Sequence, residues 1–600
     1  MLVTTLTNSQ GHMKTIDVRH MIESKNPGYF DRLPRFIGSL IISFIERLIH
    51  MSTINQFLET HTNSYGIDFI DDVFDEFDFS YLVSSKDRQR IPSEGKLIIV
   101  ANHPLGGLDG LAIIKAISQV RSDIKVVAND LLMNLENLHE LFLPYDVYSK
   151  RPQRNEIEDI RASLQREEAV IFFPAAEVSR LTWQGIRDRQ WLKGPVYFAR
   201  KYQAPILPVH VKAKNSISFY LISLLNKRLS MLLLPHEILN KRNRPVGLRI
   251  GDPIPTQSLD NNVINADYQT KLLRKHVYRL GKKKSGIFKT EKTIIHPVDR
   301  KILKNELANS QLLTLTPDDK KIYLVNYKPG EHIVKEIARL REVTFRKVGE
   351  GTGAKMDFDQ YDRFYKHLVI WDDDELEIVG SYRLCVCHDV IQEYGVSGLY
   401  NASLFHFSEQ FTKMLENSVE LGRSFIQQKY WRSNSLDHLW LGIGAFLSQR
   451  PDIKYLFGAV SISDNYSHAA KSMIIYYYKK WFEDTETWSR SKNRFMLTRQ
   501  QIDDLEAMFT GISPEEDLKI LKENLKVLGY SIPILFRKYT ELCDPTGVKF
   551  LDFGVDADFA NCVDGLIWLD LATLNPAKRK RYFRILSSKV EKILHTAELN

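Results

Sequence analysis

Short continuous apolar runs, each bounded by glycine or proline, punctuate the first half of this 600-residue chain and predict strands buried on both faces. Lys96-Leu97-Ile98-Ile99-Val100 follows Gly95, residues 169–180 (AVIFFPAAEVSR) give a strand ending in a proline turn, and residues 204–211 (APILPVHV) give a third strand. The second half is patterned differently. Ile322–Asn326 predicts a strand, and Glu331–Thr344 a helix with apolar positions at Ile333, Ile337, Leu340 and Val343. Residues 356–386 combine an acidic loop with two alternating strands joined at Asp372-Asp373-Asp374. A charge-rich strand within 415–431 and a helix over 436–449 follow, with late strands and helices between 529 and 571. Both halves are α/β.

Two apolar segments stand apart from this pattern. Phe36-Ile37, Leu40-Ile41, Phe44-Ile45 and Leu48-Ile49 recur at helical spacing between Pro34 and His50, with Arg35, Glu46 and Arg47 on the other face. A helix of that length is too short to cross hydrocarbon, so it either lies in a membrane interface or covers the domain core. Phe219–Leu234 is broken by Asn226-Lys227-Arg228 and rests on a membrane or a neighbouring domain. No run of transmembrane length and no signal-peptide core occurs.

Hydrophobics at 44% and aromatics at 11% suffice for folded domains, and the length predicts two or three of them. Cys385, Cys387, Cys543 and Cys562 complete no zinc pattern and read as buried apolar side chains in a reducing compartment. The net charge of +8 is concentrated between Lys271 and Lys304, a basic connector that either stays solvated or attracts anionic lipid or an acidic carrier protein. No nucleic-acid-binding module accompanies the charge, and nucleic acid is not an expected partner.

The chemistry of the first half centres on residues 101–110 (ANHPLGGLDG). The strand before them delivers His103 to its carboxyl end, where open α/β sheets bind substrates. A neutral imidazole there can take the proton of an attacking hydroxyl, while Asp109 fixes its tautomer. Three further blocks follow in order: 142–155 (FLPYDVYSKRPQRN) with Lys150, Arg151 and Arg154, then 169–180, then 204–211. Together they resemble the glycerolipid acyltransferase family over residues 80–260. Two departures matter. Five residues separate His103 from Asp109 where the family has four, so Gly106-Gly107 must absorb one. Ala176 stands where the family prefers glycine. The resemblance implies acceptor binding by Arg151. Arg180 can pair with a carboxylate or phosphate and Glu177 with an ammonium, suiting an amino-acid lipid; the alternative is that they pair with each other.

In the second half, Asp359-x-Tyr361-Asp362 with His367-Leu368, the strand Gly380-x-Tyr382-Arg383-Leu384, and Glu420-Leu421-Gly422-Arg423-Ser424 resemble the ornithine-lipid branch of the general acetyltransferase (GNAT) superfamily and its cousins, the acyl-homoserine-lactone synthases. The resemblance spans residues 320–590. It implies an N-acyltransferase in which Glu420 is the candidate base, Asp357, Asp359 and Asp362 hold ammonium groups, and Arg383 or Arg423 binds the acceptor carboxylate. Residues 427–433 contain no glycine for a close wrap around a CoA pyrophosphate. Acyl carrier protein is therefore the expected donor, its phosphopantetheine phosphate held by Arg432 and the helix start at Asn434 and Ser435.

The whole chain resembles the bifunctional bacterial ornithine lipid synthases: an N-terminal PlsC-like α/β domain followed by a C-terminal GNAT-like mixed-sheet domain. The expected boundaries are a helical region over 1–80, the O-acyltransferase over 81–265, a basic connector over 266–319 and the N-acyltransferase over 320–600. The implied sequence is N-acylation of ornithine by a 3-hydroxyacyl group, then esterification of that hydroxyl at His103. No bound cofactor or metal is expected, and the implied location is the cytoplasmic face of the bacterial inner membrane. The alternatives are a glycine or lysine lipid synthase, a lysophosphatidate acyltransferase fused to an amino-acid acyltransferase, or an inert membrane scaffold.

Overall fold

The computed structural model describes residues 34–128, 135–145, 154–225, 233–259 and 265–583, together with Arg19, Gly28, Met133, Ser230 and Met231. The chain divides into two units at Thr293/Ile294.

The first unit opens with three helices, α1 (Arg35–Leu48), α2 (Met51–Thr60) and α3 (Gly66–Glu76), ahead of the edge strand β1 (Tyr81–Leu82). Strands β2 (Leu97–Ala101), β3 (Ile124–Ala128), β4 (Phe142–Pro144) and β5 (Ala169–Phe172) follow, with α4 (Gly107–Ser118) after β2 and α5 (Arg154–Gln165) after β4. A small hairpin, β6 (Arg180–Thr182) and β7 (Gly185–Arg187), leads to α6 (Gly194–Tyr202), β8 (Ile206–Lys212), α7 (Ile217–Leu225), α8 (Leu234–Leu239), β9 (Val246–Ile250) and α9 (Ala266–Gly281). The sheet order is β1-β9-β8-β2-β5-β3-β4, parallel except at β8–β9.

Strand β2 lies centrally and is buried at every residue. Leu97, Ile99 and Ala101 feed one core, with Phe57, Phe69 and Phe74 from the N-terminal helices; Ile98 and Val100 feed the other, with Leu273 and Val277 of α9. This double burial is why its sequence runs continuously apolar.

It also corrects two expected boundaries. Helices α2 and α3 belong to the same core as the sheet, not to a separate region before residue 81. The basic stretch from 266 is not a free connector, because α9 buries Leu273 and Val277, each worth roughly 1.5–3 kcal/mol. Lys271 and Lys275 occupy the outer side of the helix, while Arg274 turns inward to donate to the Asp188 carbonyl and lie over the Tyr278 ring, an inner side that the charge count obscured.

The second unit starts with α10 (Arg300–Ala308), so residues 300–319 also fall inside a folded unit, and continues through β10 (Gln311–Leu315), β11 (Lys321–Asn326) and α11 (Ile333–Val348). Strands β12 (Lys366–Asp372) and β13 (Glu377–Val386) form the expected hairpin. After β14 (Phe405–Phe407) come β15 (Ser418–Ile426), α12 (Ser435–Ser448), β16 (Tyr455–Ile462), α13 (His468–Phe482), β17 (Ser489–Ser491), β18 (Val548–Asp556) and β19 (Cys562–Asp570). The eight-stranded sheet is ordered β10-β11-β12-β13-β15-β16-β19-β18, antiparallel throughout except at β15–β16. Ile333, Ile337 and Leu340 of α11 pack on one face against Val369 and Trp371; Leu439 and Ile443 of α12 pack on the other against Leu368 and Ile370. The four cysteines are buried and unpaired.

Candidate active sites

In the first unit, Asn102 fastens the end of β2 to β8: its Nδ2 donates to the Val211 carbonyl (3.0 Å) and its Oδ1 accepts from the Val211 N–H (2.8 Å). The next residue is His103. Its carbonyl accepts from the Ser179 N–H (2.7 Å), and its N–H points at Asp188 Oδ1 (3.3 Å). The backbone then turns at Gly106, whose φ of +92° is open essentially to glycine alone. This turn absorbs the extra residue and starts α4, placing Asp109 in its first turn with Oδ2 3.3 Å from His103 Nδ1. Asp109 Oδ2 also accepts from the N–H groups of Leu105 (2.8 Å) and Gly106 (3.2 Å). Burial pushes the Asp109 carboxyl up, opposed by His103 and these two amides. His103 Nε2 has no hydrogen-bonding partner among the described residues, and the ring lines a cavity of about 1190 Å³ beside Phe173.

That cavity is walled by Phe57, Phe69, Leu111, Leu138 and Phe142, and carries cationic side chains at Lys193, Arg200 and Lys201. An apolar chain fits such walls, and an anionic group is favoured near the cations. Sequence reading missed these cations because they precede or lie on α6, outside the recognised blocks; the Lys193-Gly194-Pro195 helix start is the signal that marks them.

The other expected acceptor residues fare differently. Arg151 lies outside the described residues, as does Lys150, and Arg154 is exposed at the start of α5. Glu177 and Arg180 stand 3.7 Å apart, Arg189 lies equally near Glu177, and Arg180 is buried against Phe219 while donating to Ser230 Oγ (2.7 Å). The internal pairing is the arrangement found, and neither side chain lines the cavity. Ala176 does line it and keeps a φ of +56°, the conformation that explains a glycine preference at this turn.

In the second unit the sheet forks. Strands β15 and β16 pair only over Ser418–Glu420 and Tyr455–Phe457. At Gly458 a Cβ would lie 2.0 Å from the Leu421 carbonyl, so the two backbones can approach there only without a side chain. Beyond this point β15 bulges against β13 and carries Arg423 at a φ of +51°.

Beside the fork lies an arginine–aspartate lattice. Arg341 donates to both Asp362 oxygens (2.9 and 2.7 Å) and stands 3.2 Å from Asp357. Arg383 donates to Asp359 (2.7 Å) and Asp362 (3.2 Å), and Arg423 lies 3.3 Å from Asp357. Burial alone would raise the Asp362 carboxyl; Arg341 and Arg383 outweigh it and hold it far below the usual range. His367 sits beneath, pushed down to about 4 by burial.

Two expected roles need correction. Asp362 is committed to Arg341 and Arg383 through both oxygens and presents no free carboxylate to an ammonium group; Asp357 and Asp359 are ion-paired with arginines, each keeping an Oδ2 that receives no hydrogen bond among the described residues. Arg383 is fully buried among the rings of Tyr361, Tyr365 and Tyr400 and is no carboxylate receptor.

Glu420 is corrected too. It is 2% exposed, and both oxygens are occupied, by the Tyr365 hydroxyl and the Tyr400 N–H (3.2 Å) on one and the Asn401 N–H (2.6 Å) and side-chain amide on the other. With no lone pair directed at a substrate, it anchors the Tyr400–Asn401 loop. Tyr400 passes the constraint on: its hydroxyl donates to Asp556 (2.9 Å), which in turn caps the turn carrying Phe559.

Tyr400 and Phe559 sandwich the Arg423 guanidinium at 4.8 and 4.4 Å. Nε is ion-paired with Asp357 and one terminal nitrogen stands 4.0 Å from Asp359 Oδ2, but neither terminal nitrogen makes a hydrogen bond among the described residues, so both can donate to a carboxylate. Facing it electrostatically are two carboxyls absent from the sequence expectations, Glu350 and Asp564. Their signal was present: each is an isolated acid, Glu350 between glycines and Asp564 within an apolar strand. Arg432 and Asn434 are exposed and Ser435 buried at the start of α12.

Family models match both halves: an acyltransferase family over residues 21–285 and an acetyltransferase (GNAT) domain over residues 340–441. A glycine N(alpha)-acyltransferase of Bacteroides thetaiotaomicron is 34% identical over 48% of this chain and 89% of its own length. A lyso-glycine lipid O-acyltransferase of the same organism is 30% identical over 44% of this chain and 97% of its own length. The solved 1-acyl-sn-glycerophosphate acyltransferase PlsC of Thermotoga maritima is 16% identical over 42% of this chain and all of its own, with a TM-score of 0.24.

Proposed function

Starting from a chain that belongs to the acyltransferase family in its first half and to the GNAT family in its second, we propose that it builds an amino-acid lipid by two successive acyl transfers, with glycine as the acceptor. The second unit joins a 3-hydroxyacyl group to the amine of glycine; the first esterifies the hydroxyl of that product. What supports glycine over ornithine, beyond the relatives' names, is the lattice: the three aspartates suited to a second ammonium are each held by an arginine.

In the first unit, His103 Nε2 takes the proton of the lyso-lipid hydroxyl as its oxygen attacks the thioester carbonyl, and Asp109 fixes the proton on Nδ1 and stabilises the imidazolium. The apolar cavity takes the acyl chain, and Lys193 and Arg200 suit the glycine carboxylate. Acyl carrier protein is the proposed donor for amide formation, with Arg432 and Asn434 exposed for its phosphate diester.

The proposed location is a bacterial membrane surface on the cytoplasmic side. Phe36, Leu40 and Phe44 project from α1 at 67%, 66% and 66% exposure, and Ile217, Leu221, Leu224 and Leu225 are exposed on α7. No single helix among the described residues is long and apolar enough to cross a membrane, though Phe36–Leu48 and Met51–Thr60 reach that composition together across a 64° bend.

The test is expression in a host lacking amino lipids, fed isotope-labelled glycine or ornithine, with lipids read by mass spectrometry. Label from glycine should appear in a diacylated product, and His103→Ala should leave only the mono-acylated amide. Label entering from ornithine alone would refute the glycine assignment.

A further inference from the structure

The fork between β15 and β16 places a guanidinium on one arm and two carboxyls by the other. Arg423 stands on β15 past the last paired residue. Asp564 stands on β19 directly across from Ser461 of β16, whose hydroxyl donates to its Oδ1 (2.7 Å). Glu350 follows Gly349, which ends α11 at a φ of +80°. The carbonyl of Val348, just before that glycine, is held by Ser463 Oγ (2.8 Å) and Asn465 Nδ2 (3.2 Å), both immediately beyond β16. Two independent elements thus bring carboxyls to one place.

We infer that Glu350 and Asp564 seat the amine of the amino-acid acceptor and take its proton, while Arg423 holds the acceptor carboxylate. This rests on the proposed N-acylation by the second unit. Asp564 is 3% exposed and Glu350 half-buried, and among the described residues no hydrogen bond is made to Asp564 Oδ2 or to either Glu350 oxygen. These oxygens can therefore accept from a ligand donor. The acceptor's two charged ends are separated by one carbon, and the opposed charges at the fork match them in sign. Glu420, fully hydrogen-bonded, leaves the proton-accepting role to this pair.

The electrostatics agree. Burial raises both groups to about 7; Asp564 raises Glu350 further, Asp556 raises Asp564, and Arg423 lowers each. The other titratable groups facing them are Tyr400, Tyr466 and Cys562, all pushed up by burial and neutral in this range. At neutral pH the pair therefore has capacity for the proton it must receive.

The ammonium gives one proton to the carboxylate pair, and its nitrogen attacks the thioester carbon. The C–N bond forms, the C–S bond breaks, the second proton reaches the departing sulfur to give a thiol, and the carboxylate releases its proton to water.

The experiment measures N-acylation of glycine by the full chain across a pH series. Wild-type kcat/KM should rise through about pH 7. Glu350→Gln and Asp564→Asn should each lose about 10²-fold at neutral pH. Their residual acid limb should move to lower pH, because the remaining carboxyl has lost its anionic neighbour. Arg423→Gln should raise KM for glycine far more than it lowers kcat. The isosteric amides should keep the thermal midpoint; if one does not, Asp564→Glu or Glu350→Asp must recover part of the rate. Unchanged rate and unchanged limb in both amide variants, with wild type active, overturn the inference and leave the proposed function standing. If ornithine is acylated instead and the limb still moves, the substrate assignment fails and the seat stands.

Discussion

Replacing Asp109 with asparagine should separate activity from stability in the first unit. The Asp109 Oδ2 atom serves three groups: the N–H donors of Leu105 and Gly106, at 2.8 and 3.2 Å, and His103 Nδ1, at 3.3 Å. An asparagine oxygen can keep the two backbone bonds, because both are donors to it. That same oxygen stays beside Nδ1 and can still accept from Nδ1–H, so the tautomer is kept; what asparagine removes is the negative charge that stabilises the imidazolium formed when Nε2 takes the proton. A loss of roughly 10²-fold in esterification follows, about 2.7 kcal/mol in the transition state.

Stability should move the other way. Burial holds the Asp109 carboxyl above its ordinary value, so the native state binds that proton more tightly than the unfolded chain does. Ionised Asp109 therefore weakens folding as pH rises above the ordinary carboxylate range, and asparagine removes this contribution. Esterification of purified lyso-lipid, read by mass spectrometry, and a thermal midpoint at pH 7 test both halves. Esterification within a factor of about two of wild type would refute imidazolium stabilisation by the Asp109 charge.

Asp362→Asn should destabilise the second unit by about 3–5 kcal/mol, since Arg341 and Arg383 lose a shared buried anion; denaturant midpoints check this. Because Asp362 titrates far below its unfolded value, its contribution is fully present above about pH 4 and is lost only as pH falls below that, so the variant's deficit should shrink under acid conditions. Changing Phe36, Leu40 and Phe44 together to serine should lower vesicle binding by at least about 10²-fold, given 1.5–3 kcal/mol per buried apolar side chain, with esterification of detergent-solubilised lyso-lipid unchanged; vesicle co-sedimentation is the readout.

The first site was legible because its geometry is local. A strand buried on both faces, a glycine turn and a first-turn aspartate lie within thirteen residues, and each leaves its own mark in composition. The second unit's order of strands and helices was legible for the same reason. Its side-chain roles were not. Arg341 meets Asp362 across 21 residues, and Arg341 itself sits on a helix otherwise read for its apolar stripe. Glu420 alternates on β15 like an outward-facing residue, but a loop from residues 400–401 folds over it. The charge of residues 271–304 concealed α9, whose buried side needs only a few apolar positions.

Among the described residues, each strand ladder closes within a single unit, and this has a historical consequence. Severing the polypeptide near Thr293 would leave each described strand with its hydrogen-bonded neighbours, so joining or separating the two units requires no strand to find a new partner. Bacteroides thetaiotaomicron keeps two proteins that each cover about half of this chain, as such an economy of joining would allow.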